Sequence, residues 1–254
     1  MPGPIVLYLG ASQINNAPIV ALATLDSSNV KTGPMIQTWI MPVQGPLTAS
    51  KEAADDSVCG DCPRRRSMGG DCYVRLDAAP HSAWKRWVAA GEPGENWADE
   101  SELLALTSEA RDHGLRLGAY GDPAAVPAHV WRDLIEAIQP RVVTGYTHQW
   151  REAHASDLRT LVMASCDSVQ DTRDALAAGW RYFVALPTAP LDGALPGRAV
   201  QCLSDARGLT CEECGICDGA RVGRSVQPTS VWIAEHGPMS SAKARRAAAL
   251  RVAP

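Results

Sequence analysis

The sequence predicts an α/β fold: a partial or complete (β/α) barrel with an N-terminal β segment and a long, metal-organised cysteine loop. Two observations predict the barrel. Short apolar runs recur about every 20–30 residues through the second half of the chain, with helical patterns between them. Most of these runs end in polar or Gly-containing turns, where barrels and doubly wound sheets place their chemistry. A third observation predicts the loop: a Gly-, Asp-, Ser- and Arg-rich stretch from Pro42 to Gly70 is too long for an idle connection unless a ligand orders it. A doubly wound sheet is the alternative architecture.

Three β-like runs open the chain, Ile5 to Leu9, Ile19 to Leu25 and Met35 to Met41, broken by Asn15-Asn16-Ala17-Pro18 and Thr32-Gly33-Pro34. A helix starts at Ser101 as N-cap and stops at His113-Gly114. The strand Leu115 to Tyr120 then ends in Gly121-Asp122-Pro123. A helix over Val126 to Ile138 leads to the strand Arg141 to Tyr146, which ends in Thr147-His148-Gln149-Trp150. Leu161 to Ala164 reads as a strand ending in Ser165-Cys166-Asp167-Ser168, followed by a helix over Val169 to Ala178 and a strand over Arg181 to Leu186. Ala199 to Cys202 and Ser230 to Ala234 are the last strand candidates. One domain over 1–254 results: strands in 1–45, the cysteine loop and linker in 46–100, βα units with a second cysteine cluster in 101–237, and a basic helix in 238–254.

The composition allows a full core, with hydrophobic residues at 46%. Eight Trp stand against one Phe, so indole rings carry much of the aromatic packing. A net charge of −4 argues against binding to a nucleic-acid backbone. Lys243, Arg245, Arg246 and Arg251 read as a solvated basic helix. No apolar run approaches the ~20 residues of a membrane span, and Met-Pro-Gly-Pro is not a signal-peptide start. The expected compartment is therefore the cytoplasm, where eight cysteines point to metal ligands rather than disulfides.

Seven of those cysteines form two sets. Cys202, Cys211, Cys214 and Cys217 have the spacing C-x8-C-x2-C-x2-C, whose last three match the run used by many cubane ferredoxin ligands. A [4Fe–4S] cluster is the first reading and structural zinc the alternative. Cys59, Cys62 and Cys72 form the other set. They suit a [4Fe–4S] cluster with one iron open, or a zinc site completed by a His or Asp, with His81 closest in sequence. Arg64-Arg65-Arg66 reads as a solvated run, with thiolate or anion contact as the other options. Cys166 stands alone and reads as a small buried residue. Gly121, Asp122 and His148, with Tyr146 and Asp167, fall at strand ends, where Asp and His serve acid–base or ligand roles; the plain reading makes Asp122 a helix cap. No Walker A, G-x-S-x-G, H-E-x-x-H or G-x-G-x-x-G motif is present.

Several segments carry a resemblance: Val58-Cys59-Gly60-Asp61-Cys62-Pro63, Asp71-Cys72-Tyr73-Val74, Leu117 to Pro123, Thr144 to Trp150, Ala178-Gly179-Trp180-Arg181 and Thr210 to Gly219. In these the chain resembles a family of uncharacterised cysteine-rich proteins of bacteriophages with high-GC hosts. The resemblance implies a phage or prophage origin; a host or phage protein is the partner expected of the zinc-stapled alternative. More weakly, the layout is similar to radical S-adenosylmethionine (SAM) enzymes: strand, three-cysteine loop, helix, then a strand ending in Gly121-Asp122-Pro123. That similarity implies SAM as a ligand, with Asp122 beside its amino group; the C-x3-C-x2-C spacing of those enzymes is absent here. The expectation is an iron–sulfur protein of radical-SAM type, with a zinc-stapled binding module as the rival.

Overall fold

The computed structural model describes residues 3–25, 27, 29–92, 100–220 and 229–235. Nine strands form one sheet: β1 (Ile5–Ala11), β2 (Pro18–Thr24), β3 (Ile36–Pro42), β4 (Leu115–Tyr120), β5 (Val143–Thr147), β6 (Met163–Cys166), β7 (Tyr182–Leu186), β8 (Ala199–Gln201) and β9 (Ser230–Ala234). Their order is β1-β2-β3-β4-β5-β6-β7-β9-β8. The first three pair antiparallel, as short turns allow. From β3 onward every pair is parallel. The sheet is not closed: no ladder among the described residues joins β1 to β8.

Among the described residues the connections carry eight helices: α1 (Pro46–Lys51), α2 (Asp56–Cys59), α3 (Ala79–Ala89), α4 (Glu100–Asp112), α5 (Ala128–Ile138), α6 (Val169–Ala177), α7 (Leu203–Arg207) and α8 (Cys211–Cys214). In α5 the apolar residues Val130, Trp131, Leu134 and Ile138 recur on one stripe, and all four are buried. Trp131 Nε1 donates to Pro123 O at 2.9 Å and ties α5 to the end of β4. Ser168 caps α6 by accepting from Asp171 N, and Gly179, at φ 78°, turns the chain into β7.

Register assigns two faces to the parallel half. Leu115, Leu117, Val143, Ala164, Cys166, Tyr182 and Val184 join the main core with Trp131, Leu134 and Ala175 of the helices. On the other face Met163, Cys217 and Val231 form a smaller cluster with Tyr146, Phe183, Val200 and Cys202.

Several expectations shift. The stretch from Pro42 to Gly70 is not structureless, because α1, α2 and a 3-10 turn at Arg66–Met68 organise it. The α3 helix was not anticipated; its Pro80 sits in the first turn, where a missing N–H costs nothing. The helix expected from Val126 begins at Ala128, after a 3-10 turn at Pro123–Ala125. The strand expected at Leu161 begins two residues later, because Leu161 closes the 3-10 segment Ala153–Thr160. The basic helix expected over 238–254 lies outside the described residues. Among the described residues no helix is long and apolar enough to cross a membrane.

Candidate metal centres

The first cysteine set lies at the C-terminal edge of the parallel strands. Cys59 ends α2, and backbone bonds turn the chain back on itself: Cys62 N to Cys59 O (3.1 Å), Arg65 N to Cys62 O (3.2 Å) and Cys72 N to Arg64 O (2.9 Å). Gly60 sits at φ 54°, where a Cβ would stand 2.3 Å from the Gln149 side chain, so glycine is required. Gln149 Nε2 donates to Asp61 Oδ1 (2.8 Å), and Asp122 N donates to Val58 O (2.6 Å). The loop is thereby pinned to the ends of β4 and β5. Ser12, in the β1–β2 turn, supports it from the other side by donating to Ser57 O at 2.6 Å.

The residues at the strand ends meet this loop. His148 Nε2 lies 3.9 Å from Cys62 Sγ and 3.1 Å from Asp167 Oδ2. Both contacts use one ring nitrogen, so this is not the relay of a nucleophilic triad, which needs the two nitrogens on different partners. Asp122 is fully engaged: Oδ1 accepts from Ala124 N (2.9 Å) and Oδ2 from His148 N (2.8 Å). It caps the turn after β4, as the plain reading had it, and also holds His148. Gly121 lies against Ile40, with no room for a Cβ. Tyr146 turns away, onto the face with the second set. His81 stacks on Trp84, their centroids 5.6 Å apart.

Of the arginine run Arg66 is exposed, as read, but Arg64 and Arg65 are not. Arg65 is buried and bonds Asp55 (2.8 Å) and Gly60 O (2.8 Å). Arg64 bridges Asp167 (2.7 Å), Glu235 (2.9 Å) and Asp71 (3.5 Å). Burial alone would lower the His148 pKa, but its bonds to Asp167 and Cys62 push it up to about 10. Burial works against ionisation of Asp167 too, yet His148 and Arg64 hold it well below the usual carboxylate range.

Burial raises the Cys59 thiol well above its ordinary value, and Cys62, Cys72, Asp55 and Asp122 around it add to the rise. Beside Cys59 and Cys72 is a small cavity that Asp55, Arg65 and Tyr120 also line. The Tyr120 hydroxyl is buried and has no hydrogen-bond partner among the described residues. An orphan donor beside two thiols suits a site whose missing acceptor is a metal-bound sulfur.

The second set lies across the other face of the sheet, anchored to the N-terminal ends of β3, β4 and β5. Cys202 N donates to Trp232 O (2.8 Å) beside β8. Thr210 and Glu213 form a capping box that starts α8 at Cys211. Cys211 N donates to Lys31 O (3.0 Å) and Glu212 N to Thr32 O (3.2 Å). Glu212, itself buried, accepts from His113 (2.9 Å) and Arg141 (3.4 Å). Gly145 N donates to Cys217 O (3.3 Å). Burial pushes the Cys217 thiol up to about 12; Tyr146 bonds it, and Cys211, Cys202 and Cys214 stand near enough to add to the rise. Four thiols from a 16-residue span are thus near enough to act on one another electrostatically.

Arg181, just before β7, locks this segment down. It is buried and bonds the Asp218 carboxylate, Ile216 O (2.6 Å), Asp218 O (2.7 Å) and Thr229 O. Gly219 passes so close to Thr160 that a Cβ would stand 2.2 Å from its carbonyl carbon. Cys166 is buried in the main core and points its Sγ at Ala164 O (3.9 Å).

Sequence reasoning missed Arg116, Tyr120, Gln149 and Arg181 as site residues and offered Arg64 and Arg65 only as an alternative to solvent. Gln149 and Arg181 lay inside the quoted motifs; a buried role for an arginine leaves no signature in spacing. Among the described residues, no three Cys, His, Asp or Glu side chains already stand as ligands of one metal ion. The sets are gathered rather than closed. Compared with protein-family models, curated proteins and solved structures, the chain gives no match.

Proposed function

We propose that this chain is a metalloprotein with two cysteine-ligated centres. Cys202, Cys211, Cys214 and Cys217 hold a structural or auxiliary centre, read as [4Fe–4S] from the C-x2-C-x2-C run. Cys59, Cys62 and Cys72 hold the functional centre, at the strand ends where α/β folds do their chemistry. The observation that carries the reading is the gathering of thiols into two separate sets, one at the C-terminal edge of the sheet and one across its face. Neutral buried thiols that crowd one another are what a metal converts to thiolates, releasing protons. We read the parallel strands, which follow chain order from β3 to β7, as part of a barrel. The phage origin rests on the sequence motifs alone, and the cytoplasm on the need for reduced thiols.

Two readings of the first centre are each favoured by a specific observation. A cluster with one open iron, of the kind that binds SAM, is supported by the meeting of the cysteine loop with the ends of β4, β5 and β6. A zinc site of Cys3His type is supported by His148. Two ligands about 2.0 and 2.3 Å from one tetrahedral ion stand about 3.5 Å apart, and Cys62 and His148 stand at 3.9 Å.

The test is anaerobic purification with iron, sulfide and zinc quantified in wild type, Cys62→Ser and Cys214→Ser. Each variant loses one centre's metal and keeps the other's. Wild-type metal content in both variants overturns the reading. Formation of 5′-deoxyadenosine by reduced protein given SAM selects the open cluster; stoichiometric zinc lost in His148→Gln selects Cys3His.

A further inference from the structure

A site of four thiolates on a divalent ion, or on a [4Fe–4S]2+ core, carries a net charge of about −2. In a partly buried place that charge needs a cation close by. Three candidates around the second set are already committed to carboxylates: Lys31 bonds Asp205 (2.8 Å), Arg141 bonds Glu212 (3.4 Å) and Arg181 bonds Asp218.

Arg116 is different. It lies in the middle of the sheet on β4, paired with Thr144 of β5, so it shares the face of Tyr146 two residues on. That is the face where Tyr146 packs with Cys217 and Cys202 and stacks on Phe183 at 4.6 Å. The guanidinium bonds no carboxylate among the described residues. Its one hydrogen-bond partner there is a neutral hydroxyl, Tyr73 Oη at 2.9 Å, and its electrostatic neighbours are Tyr73, Tyr146 and Cys211. The guanidinium is part-buried on that face, with one thiol, Cys211, among its electrostatic neighbours; a part-buried cation without an anion is costly.

We propose that Arg116 is the charge partner of the centre held by Cys202, Cys211, Cys214 and Cys217: a positioning residue that stabilises its thiolates, acting through Cys211. This rests on the metal reading of that set. Tyr73 extends the arrangement. It follows Cys72 directly, so the loop of the first centre supplies the hydroxyl that orients the counter-ion of the second.

The experiment uses the full chain carrying Cys62→Ser, which leaves the second centre as the metal-loaded one, and measures metal affinity by competition with a chelator. Adding Arg116→Gln should weaken binding about 10- to 100-fold, the usual cost of losing an outer partner of a metal ligand. Arg116→Lys, which keeps the charge, should recover most of it, and Tyr73→Phe should cost less than Arg116→Gln. Where the metal is a cluster, Arg116→Gln should also make the centre harder to reduce. Undiminished affinity in Arg116→Gln overturns the proposal, as does a loss in Arg116→Lys equal to that in Arg116→Gln. Should Arg116→Gln fail to fold by circular dichroism, the Arg116→Lys affinity decides: retention supports the proposal and a full loss overturns it. A Cys62→Ser parent that binds no metal points instead to failure of the metal reading itself.

Discussion

The two cysteine sets use the same ligand type in opposite surroundings. Around Cys59, Cys62 and Cys72 the fold places ionisable side chains, His148, Asp167, Arg64, Asp71 and Glu235, joined in one network at the strand ends. Around Cys202 to Cys217 it places backbone bonds, a capping box and a buried Arg181–Asp218 pair that fix the segment to the sheet. The first surroundings hold protons and charge where a ligand could use them. The second have little to offer a ligand and much to offer stability. A shared ligand type does not imply a shared task; the neighbours decide.

The largest test of that contrast is thermal. Cys214→Ser should lower Tm by about 10 °C or more, since a structural metal contributes directly to folding free energy. Cys62→Ser should lower it by less than about 4 °C while removing its own centre's metal. Equal shifts in calorimetry would erase the distinction between the sets.

Arg181→Met comes next. It removes the arginine from a buried ion pair, a change worth about 3–5 kcal/mol, and denaturant unfolding should show it. The first centre's metal content should stay at the wild-type level.

Tyr120→Phe sharpens the other side. The hydroxyl has no protein partner to lose, so the metal-free chain should be as stable as wild type, or slightly more stable. Metal affinity at the first centre should drop about tenfold if that hydroxyl faces a metal-bound sulfur. Unchanged affinity in a chelator titration would remove Tyr120 from the site.

The smallest effect lies outside both sets. Burial pushes Tyr182 up to about 12 from an ordinary 10.0, with Cys166 adding to it. A raised acid contributes stability that is fully present below the unfolded value and is lost as pH rises through the folded one. Wild type should therefore lose stability between about pH 10 and pH 12, and Tyr182→Phe should lose less over that window, in paired urea midpoints. Parallel losses in the two proteins would show that Tyr182 carries none of the pH dependence.

Much of the fold was legible because periodicity and punctuation agree with tertiary demand. Ser230 to Ala234 is a strand as read, and α5 and α6 stop where Pro140 and Gly179 require. The misplaced strand at Leu161 shows the limit: Leu161 and Val162 look like strand, but the 3-10 segment before them claims Leu161 for its own end. The grouping of the cysteines into two sets was legible because short spacings keep thiols of one loop together wherever the loop folds. Their charged surroundings were not. Arg64 meets Asp167 across 103 residues and Glu235 across 171, distances over which sequence spacing holds no information.

The strand order has one break, and it concerns time rather than geometry. Each strand from β1 to β7 is laid beside its predecessor, so a chain emerging from the ribosome can extend the sheet as it is made. β8 cannot: its three residues pair with β9, which follows it and slots in between it and β7. The segment that must fold back first is the one bearing Cys202, Cys211, Cys214 and Cys217. Completion of the sheet therefore waits on that segment, and under the metal reading proposed above its loading becomes the last checkpoint of assembly.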